Sequence, residues 1–137
     1  MALLDDLLSC WERPVADRAD PLADFAAVYA DPVTVNGVSM AVADLVARAR
    51  MLQGAFAGLR ADIVHRVETA DTIVVGFVLR GRHVGTYPSP LGEVAATGRE
   101  VVVRTIDILT VTAGRVSDIW VISDDLGLLT QLGAVGR

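Results

Sequence analysis

Apolar side chains recur every three or four positions at the start of the chain, at Leu3, Leu4, Leu7, Leu8 and Trp11. This spacing predicts an amphipathic helix over residues 2–12. A second helix is expected after Asp20, whose carboxylate can cap it, with Pro21 in its first turn. Its apolar positions continue through Phe25 to Tyr29.

The next segment combines a short hairpin with the longest helix. A β-branched run leads into Asn36-Gly37, a dipeptide typical of tight turns, so a hairpin is expected from Val33 to Met40. Ser39 can cap a helix over residues 40–57, which carries one apolar stripe. Gly58 lies just beyond the predicted end of this helix, where a glycine is common.

From residue 61 onward the apolar positions alternate instead, as they do in strands. Strands are expected over residues 61–68, 72–84, 99–112 and 115–123. The last two strands form a hairpin through the turn Ala113-Gly114. Residues 85–98 are rich in Gly, Pro and Thr and are predicted to form a long loop. Residues 125–132 are expected to form a short closing segment, either helical or coiled.

This order of elements predicts one α+β domain that spans residues 1–137. Four consecutive long strands pair most simply as an antiparallel meander, with the short hairpin beside it. The helices come before them, so a curved antiparallel sheet is expected to wrap around the long helix. That arrangement is a cone with an open mouth, and its interior is where a pocket would form.

Composition narrows the kind of function. Hydrophobic residues make up 53% of the chain, which predicts a packed core, and the net charge of −5 argues against nucleic acid as a partner. No apolar run is long enough to span a membrane, and the acidic start does not resemble a secretory signal. The single cysteine, Cys10, excludes an intrachain disulfide and fits a reducing compartment, so we expect a cytoplasmic protein.

The residue types also limit the chemistry. Lysine is absent, which excludes Schiff-base catalysis, and the sequence contains no glycine-rich phosphate loop or nucleophile-elbow motif. The two histidines, His65 and His83, do not have metal-ligand spacing with Cys10. We therefore expect neither a metal nor a cofactor, and chemistry based on carboxylate, imidazole, hydroxyl or guanidinium groups.

The last predicted strand and its exit carry the most specific candidate. Strand alternation places Asp118, Trp120, Ile122 and Asp124 on one face. If that face is turned inward, its apolar surroundings raise the pKa of Asp124 toward neutrality, which suits a general acid or base. The alternative, which composition alone favours, is that Asp124 and Asp125 cap the closing segment in water.

Four segments, taken in order, resemble a known family. They are Tyr29-Ala30-Asp31-Pro32-Val33, Gly81-Arg82-His83-Val84-Gly85, Thr97-Gly98-Arg99 and the run from Trp120 through Asp124 to Leu126-Gly127-Leu128-Leu129. Over residues 22–133 the chain resembles the SnoaL-like polyketide cyclases, members of the superfamily that shares the cone-shaped fold of the nuclear transport factor. The resemblance implies the same α+β cone and a cofactor-independent enzyme that closes a ring in a polyketide-like carbonyl compound.

The resemblance also implies roles for individual residues. Asp124, the aspartate after the tryptophan, corresponds to the acid/base that removes a proton next to one carbonyl group and protonates the oxygen formed at the other. His83 or Arg104 would then polarise the reacting oxygen. Relatives on this fold also open epoxides, isomerise ketones or hydroxylate. These reactions, and a non-catalytic ligand-binding or dimerisation module, stay as alternatives.

Two charged residues interrupt the apolar strand 99–112 and leave a choice. Arg104 and Asp107 are three positions apart, so they lie on opposite faces and only one of them can face the pocket. A buried charge needs a partner, so either Arg104 pairs with an acid such as Asp124, or Asp107 faces an arginine. His83 also has two interpretations, as a donor to the substrate or as a structural residue that holds the following loop.

The remaining candidates concern substrate binding and assembly. The side chains expected to line a pocket for a hydrophobic small molecule are Tyr29, Asn36, Met40, Met51, Phe56, Phe77, Asp107 and Trp120. Loop 85–98 is long enough to form its mouth or lid. Strands 72–84 and 99–112 carry apolar residues on both faces, and helices cover only one face, so a homodimer through the other is expected.

Overall fold

The computed structural model describes residues 3–135 of the 137, so Ala2, the first position of the predicted helix 2–12, lies outside the described residues. The helices in this part of the chain are α1 (Leu3–Glu12), α2 (Pro21–Ala26), α3 (Val42–Ala55) and α4 (Asp125–Gln131). The strands are β1 (Tyr29–Val35), β2 (Val38–Met40), β3 (Phe56–Glu68), β4 (Thr72–His83), β5 (Tyr87–Ser89), β6 (Gly92–Val94), β7 (Glu100–Thr112) and β8 (Arg115–Ser123).

The first two helices begin where the sequence predicts them. α1 turns its leucines into the core, and the Asp20 carboxylate caps α2 by accepting a hydrogen bond from the Ala23 N–H at 3.1 Å. α2 ends at Ala26, however, and Tyr29 begins β1 instead of extending the helix. Tyr29 pairs with Val116 in the sheet, so a tertiary contact overrides the local helical spacing.

The longest helix, α3, is shorter at both ends than the predicted range 40–57. It begins at Val42, where the Asp44 carboxylate accepts a hydrogen bond from the Ala41 N–H at 3.0 Å, and Ser39 lies in β2 instead of capping the helix. Gly58 does not end the helix either. With φ of +65°, it lies within β3 where the strand pairing is irregular, a conformation that glycine adopts without a steric penalty.

Six strands form one curved sheet in the order β2-β1-β8-β7-β4-β3. β3, β4, β7 and β8 form the predicted antiparallel meander, and β1 and β2 form the predicted hairpin. β1 pairs with β8 in parallel, so the expectation of a purely antiparallel sheet is wrong at this pair. The pairing of β1 with β8 joins distant parts of the chain. Alternation of apolar residues within one strand does not show which other strand it pairs with.

The predicted loop 85–98 contains a second, small sheet. β5 and β6 pair with Tyr87 opposite Val94, and Gly92 has φ of +115° where the chain turns back. Each strand has three residues, too few to show an alternating pattern, and Pro88 lies in one of them. The segments before and after this hairpin have no regular structure.

The two faces of the six-stranded sheet have different surroundings. Its inner face packs against α1, α2 and α3 in the main apolar core, and a second apolar cluster joins Phe56 to Leu128 of α4. Among the described residues no helix covers the outer face, which exposes Ile106, Trp120 and Ile122. Helices on one side of a curved sheet confirm the predicted α+β cone.

Candidate functional site

An apolar cavity of about 620 Å³ lies between the inner face of the sheet and the helices. Leucine, valine and aromatic side chains from α1, α3, α4 and the long strands make up most of its wall. The polar side chains along this wall include Tyr29, Arg48, Thr105, Asp107 and Ser123. A cavity of this size and character is typical of sites for small, mostly apolar molecules.

Asp107 is a carboxylate in the wall of this cavity. It lies on β7 between the buried residues Thr105 and Leu109, which share the inner face. None of the ion pairs within residues 3–135 involves Asp107, and its Oδ1 is buried with no hydrogen-bond partner among them. Burial raises the pKa of Asp107 from 3.8 to about 6, because apolar surroundings disfavour the charged form. Such a group can take up and return a proton near neutral pH.

Arg104 lies on the opposite face from Asp107, which decides the choice that the sequence left open. Its side chain is 83% exposed on the outer face, and its guanidinium lies 3.5 Å from the Asp124 carboxylate. The ion pair between Arg104 and Asp124 therefore forms outside the cavity. The prediction that Arg104 polarises a reacting oxygen inside the cone is wrong in its placement, since strand alternation turns it away.

The expectation that Asp124 faces the cavity is also wrong. Its Oδ1 accepts a hydrogen bond from the Gly127 N–H at 2.9 Å, so it caps α4, and its Oδ2 faces Arg104. The side chain is 39% exposed. A Cβ at position 127 would collide with this carboxylate, which explains the glycine there. The capping interpretation, which composition alone favoured, matches the geometry.

Trp120 was expected in the pocket but lies on the outer face. It is 58% exposed, and Ile122 beside it is 64% exposed. The residues of β8 that line the cavity are Ile119, Val121 and Ser123. Alternation correctly predicted which residues share a face, but both faces of β8 are largely apolar, so the pattern did not show which face is inside.

Tyr29 and Trp11 form a second polar feature of the cavity wall. The Trp11 Nε1–H donates a hydrogen bond to the Tyr29 hydroxyl oxygen at 2.8 Å, and both residues line the cavity. Phe25 packs against both rings, with its centroid 6.1 Å from that of Trp11 and 6.3 Å from that of Tyr29. Tyr29 thus lies in the predicted pocket, although it comes from a strand instead of a helix.

Two hydroxyl groups in the cavity wall were not among the sequence candidates. Thr105 and Ser123 face each other across β7 and β8, with 3.3 Å between their hydroxyl oxygens, and both line the cavity. Alternation counted from Asp107 would have identified Thr105, and the pairing of the last two strands would then have identified Ser123. These hydroxyls can bind a polar group of a ligand near Asp107.

His83 is fully buried, but it is not one of the residues that line the cavity. Its Nδ1 accepts a hydrogen bond from the Thr97 N–H at 3.1 Å and lies 3.0 Å from the Thr97 hydroxyl. Its ring packs against Phe56 with 5.3 Å between the centroids. This geometry matches the structural interpretation of His83, in which it holds the end of the following loop.

The remaining predicted pocket residues divide into two groups. Met51, Phe56 and Phe77 line the cavity as expected. Met40 packs against the main core instead, and the Asn36 side chain bonds to the backbone of β8 through its Nδ2 at 3.1 Å and its Oδ1 at 2.9 Å. The predicted placement of Met40 and Asn36 in the pocket is therefore wrong, and Asn36 anchors the β1–β2 turn.

The β5–β6 hairpin contributes to the cavity wall at the position predicted for a mouth or lid. Residues 87–90 line the cavity, and the Tyr87 ring packs against Phe56 with 5.3 Å between the centroids. Burial raises the pKa of Tyr87, and Asp125 nearby acts in the same direction. The hairpin therefore closes one side of the cavity with an aromatic side chain.

Two features that would suggest other functions were not found in the described part of the chain. Residues 3–135 hold no group of three or more His, Cys, Asp or Glu side chains arranged to bind a metal ion. None of the helices within this range is both long and apolar enough to cross a bilayer.

Comparison with known proteins gives agreement in both sequence family and fold. A family model described as SnoaL-like polyketide cyclase matches residues 2–132. TsrD from Streptomyces laurentii has a TM-score of 0.80 and 24% identity, with 97% of this chain and 93% of that chain covered. IdmH from Streptomyces antibioticus has a TM-score of 0.74 and 22% identity, with 97% and 99% covered.

A SnoaL-like polyketide cyclase from Agrobacterium tumefaciens has a TM-score of 0.72 and 15% identity, with 97% of this chain and 99% of that chain covered. At identities this low, the three structures show the shared fold. No curated protein matches the chain.

Proposed function

The chain belongs to the SnoaL-like polyketide cyclase family, and we propose that it is a cofactor-independent enzyme that closes a ring in a polyketide-like carbonyl compound. In this proposal Asp107 is the general acid/base. The substrate lies in the cavity between the helices and the sheet, and Asp124, outside this cavity, stabilises α4.

One observation carries this proposal: the Asp107 carboxylate lines an apolar cavity, its Oδ1 has no hydrogen-bond partner within residues 3–135, and its pKa is raised to about 6. At neutral pH most Asp107 side chains are ionised and can accept a proton. The protonated side chain, with its pKa of about 6, is acidic enough to return that proton. A general base works best when its pKa lies near the operating pH. A strongly perturbed carboxylate in a cleft is also a recognised indicator of a functional site.

The reaction proceeds by two proton transfers through the same carboxylate. Asp107 removes a proton from the carbon next to one carbonyl group, which leaves an enolate and a neutral Asp107. The enolate carbon attacks a second carbonyl carbon, a C–C bond forms, and the electron pair of that C=O bond moves to its oxygen. Asp107 then returns its proton to this oxygen, which gives the hydroxyl group of the product and regenerates the carboxylate.

The cavity supports a substrate that is mostly apolar. Its wall is formed largely by aliphatic and aromatic side chains, and its volume of about 620 Å³ suits a small molecule of several rings or a folded chain. A flexible substrate enclosed in this way is held with its reacting carbons near one another. This enclosure lowers the entropic cost of ring closure.

A second part of the proposal concerns assembly, and it rests on the outer face of the sheet. Ile106, Trp120 and Ile122 are each more than half exposed there. Contiguous apolar side chains on a sheet face are typical of an interface. The face also carries both Arg104 and Asp118, so a second copy related by a two-fold axis can meet it with opposite charges. We therefore propose a homodimer through this face. The cytoplasmic location expected from the single cysteine stays a prediction.

The catalytic proposal is tested by proton exchange in heavy water. An aryl 1,3-diketone serves as the probe, and NMR measures the rate at which its α-hydrogen is replaced by deuterium. The wild-type protein should accelerate this exchange, and the rate should rise with pH through about 6, because the ionised form of Asp107 is the base. Asp107→Asn should reduce the rate by about 100-fold or more, the usual contribution of a general base.

Asp124→Asn is the matched control, because it makes the same chemical change at an acid outside the cavity. It should retain the wild-type exchange rate. Loss of exchange in this variant, with full exchange in Asp107→Asn, would return the acid/base role to Asp124. If the wild-type protein binds the diketone but does not accelerate exchange, the chain is a binding module or catalyses a different reaction of this fold.

A further inference from the structure

The hydrogen bond between Trp11 and Tyr29 leaves one donor unused. The indole Nε1–H donates to the Tyr29 hydroxyl oxygen at 2.8 Å, and an indole has no acceptor to offer in return. A phenol hydroxyl is both donor and acceptor, so the hydrogen on Tyr29 must point elsewhere. No group among residues 3–135 accepts it, because the Trp11 contact is the one hydrogen bond that the Tyr29 side chain forms within this range.

The unused hydrogen belongs to a residue that lines the cavity and stays protonated. Tyr29 and Trp11 are both part of the cavity wall, and the Tyr29 side chain is 2% exposed. Burial raises the pKa of Tyr29 well above its usual range, and the charge of Asp107 acts in the same direction with a smaller effect. The hydroxyl is therefore a neutral donor at any pH at which the protein functions. Tyr29 and Asp107 both line this cavity.

The Trp11 contact restricts the direction of the Tyr29 O–H. Because the indole occupies one side of the hydroxyl oxygen, the hydrogen is confined to the remaining directions. The packing of Phe25 against both rings limits their rotation, with centroid distances of 6.1 and 6.3 Å. A donor that is fixed before a ligand binds stabilises negative charge on that ligand with little reorganisation.

We propose that Tyr29 donates a hydrogen bond to the carbonyl oxygen of the substrate and to the enolate that forms from it. This inference deepens the proposed function, since it assumes that the cavity binds a carbonyl compound. Tyr29 is then a catalytic residue, and Trp11 is a positioning residue that acts through it. Asp107 takes the proton from carbon. The Tyr29 hydroxyl meanwhile stabilises, through its hydrogen bond, the negative charge that develops on the carbonyl oxygen.

The proposal defines the class of ligand that the cavity should prefer. The preferred ligand is a flat apolar molecule with an oxygen atom that carries negative charge, as in an enolate or a phenolate. An apolar cavity without such a donor would exclude the anion, because burying an unpaired charge is costly. Arg48 also lines the cavity and favours an anion, so it is the loss of this preference when the Tyr29 hydroxyl is removed that reports on Tyr29.

The test compares 2-naphtholate with naphthalene as probes. Binding is measured by fluorescence in the Asp107→Asn protein, in which the repulsion between the carboxylate and an anionic probe is removed. Adding Tyr29→Phe should weaken naphtholate binding by about 10- to 100-fold, as expected for a hydrogen bond to a charged group, and leave naphthalene binding unchanged. The pH at which bound 2-naphthol ionises should rise in the same variant.

Two further variants separate this role from a structural one. Trp11→Phe should weaken naphtholate binding by a smaller factor, because the Tyr29 hydroxyl remains but is less restricted in direction. Trp120→Phe makes the same change at a tryptophan on the outer face, outside the cavity, and the ratio of the two affinities should not change. Circular dichroism and thermal unfolding of each variant check that the fold is retained.

Equal effects of Tyr29→Phe on naphtholate and naphthalene, or no effect on either, would overturn the proposal. Because these measurements use the Asp107→Asn protein, they do not depend on turnover. A chain that binds naphtholate through Tyr29 but does not exchange the diketone proton would therefore retain this inference and refute the acid/base role. The opposite result would retain the acid/base role and refute the inference.

Discussion

At the level of the single residue, Asp107 occupies a position where an apolar side chain would stabilise the fold more. Its neighbours on the inner face of β7, Thr105 and Leu109, are both buried. Asp107 has a buried carboxylate oxygen without a partner among the described residues, which is costly when the group is charged. An exception of this kind within a regular strand is expected at a functional site.

The raised pKa of Asp107 predicts how stability depends on pH. The folded state binds this proton more tightly than the unfolded state, because the pKa rises from 3.8 to about 6 on folding. The free energy of unfolding should therefore fall as pH rises from about 4 to about 6, by on the order of 2 kcal/mol from this group. Asp107→Asn should remove this component and be more stable than the wild-type protein at pH above about 6.

Urea unfolding at several pH values measures this difference. Asp17→Asn is the control, since Asp17 is exposed and the same substitution there removes one charge without affecting the cavity. The wild-type protein and the Asp17→Asn variant should show curves of similar shape. A constant offset between Asp107→Asn and the wild-type protein across the whole pH range would contradict the raised pKa.

The sequence identified Asp107 only as one member of a pair. The three-residue spacing to Arg104 showed that the two side chains lie on opposite faces, and the structure was needed to show which face is inside. The choice of Asp124 failed for the same reason. Its distance from Trp120 along the chain suggested a shared face, but that face is the outer one, where the Asp124 carboxylate meets Arg104 and caps α4.

At the level of the element, local patterns predicted most helices and strands but few of their partners. The long strands β4, β7 and β8 lie within one residue of their predicted ranges, because each shows regular alternation and ends at a glycine- or aspartate-containing turn or at a loop. The parallel pairing of β1 with β8 and the small β5–β6 hairpin were missed. Both depend on contacts with distant segments, which a local pattern does not contain.

The loop after β4 is held by His83 through both its backbone and its side chain. The His83 N–H donates to Arg99 O and the Gly98 N–H donates to His83 O, each at 2.8 Å, while the ring nitrogen Nδ1 accepts from the Thr97 N–H. Residues 97–99 are thus fixed beside the end of β4. The hairpin that lines the cavity lies between these two points of the chain.

Replacing His83 should therefore loosen the loop before it affects the sheet. His83→Ala removes the acceptor for the Thr97 N–H and leaves a void beside Phe56, which together should cost about 2 kcal/mol or more. Hydrogen–deuterium exchange should increase over residues 84–99. His83→Asn is the matched variant, because its amide oxygen can take the place of Nδ1, and it should protect the loop better than alanine does. Unchanged exchange in His83→Ala would refute the structural role.

At the level of the whole molecule, the curved sheet has a concave face that lines the cavity and a convex face that is apolar as well. Ile106 lies opposite Gly76 on one side and Ile122 on the other, and Ile108 lies opposite Trp120 in the neighbouring row. Gly76 has no side chain, and the His65 side chain lies 3.7 Å from the position that a Cβ of residue 76 would take. The apolar surface around Ile106 suits contact with a second copy.

The proposed homodimer predicts the effect of a charge at the centre of this face. Ile106 is 55% exposed in the single chain, so Ile106→Glu should fold normally and place a carboxylate at the two-fold contact, where it would be buried without a partner. Light scattering during gel filtration should show a dimer for the wild-type protein and a monomer for this variant. Leu91→Glu is the control, because Leu91 is 70% exposed on the β5–β6 hairpin and lies away from the outer face. A wild-type monomer, or a dimer that persists in Ile106→Glu, would exclude this interface.

Since Asp107 faces the other side of the same sheet, the monomeric variant should still exchange the diketone proton if the cavity is complete within one chain.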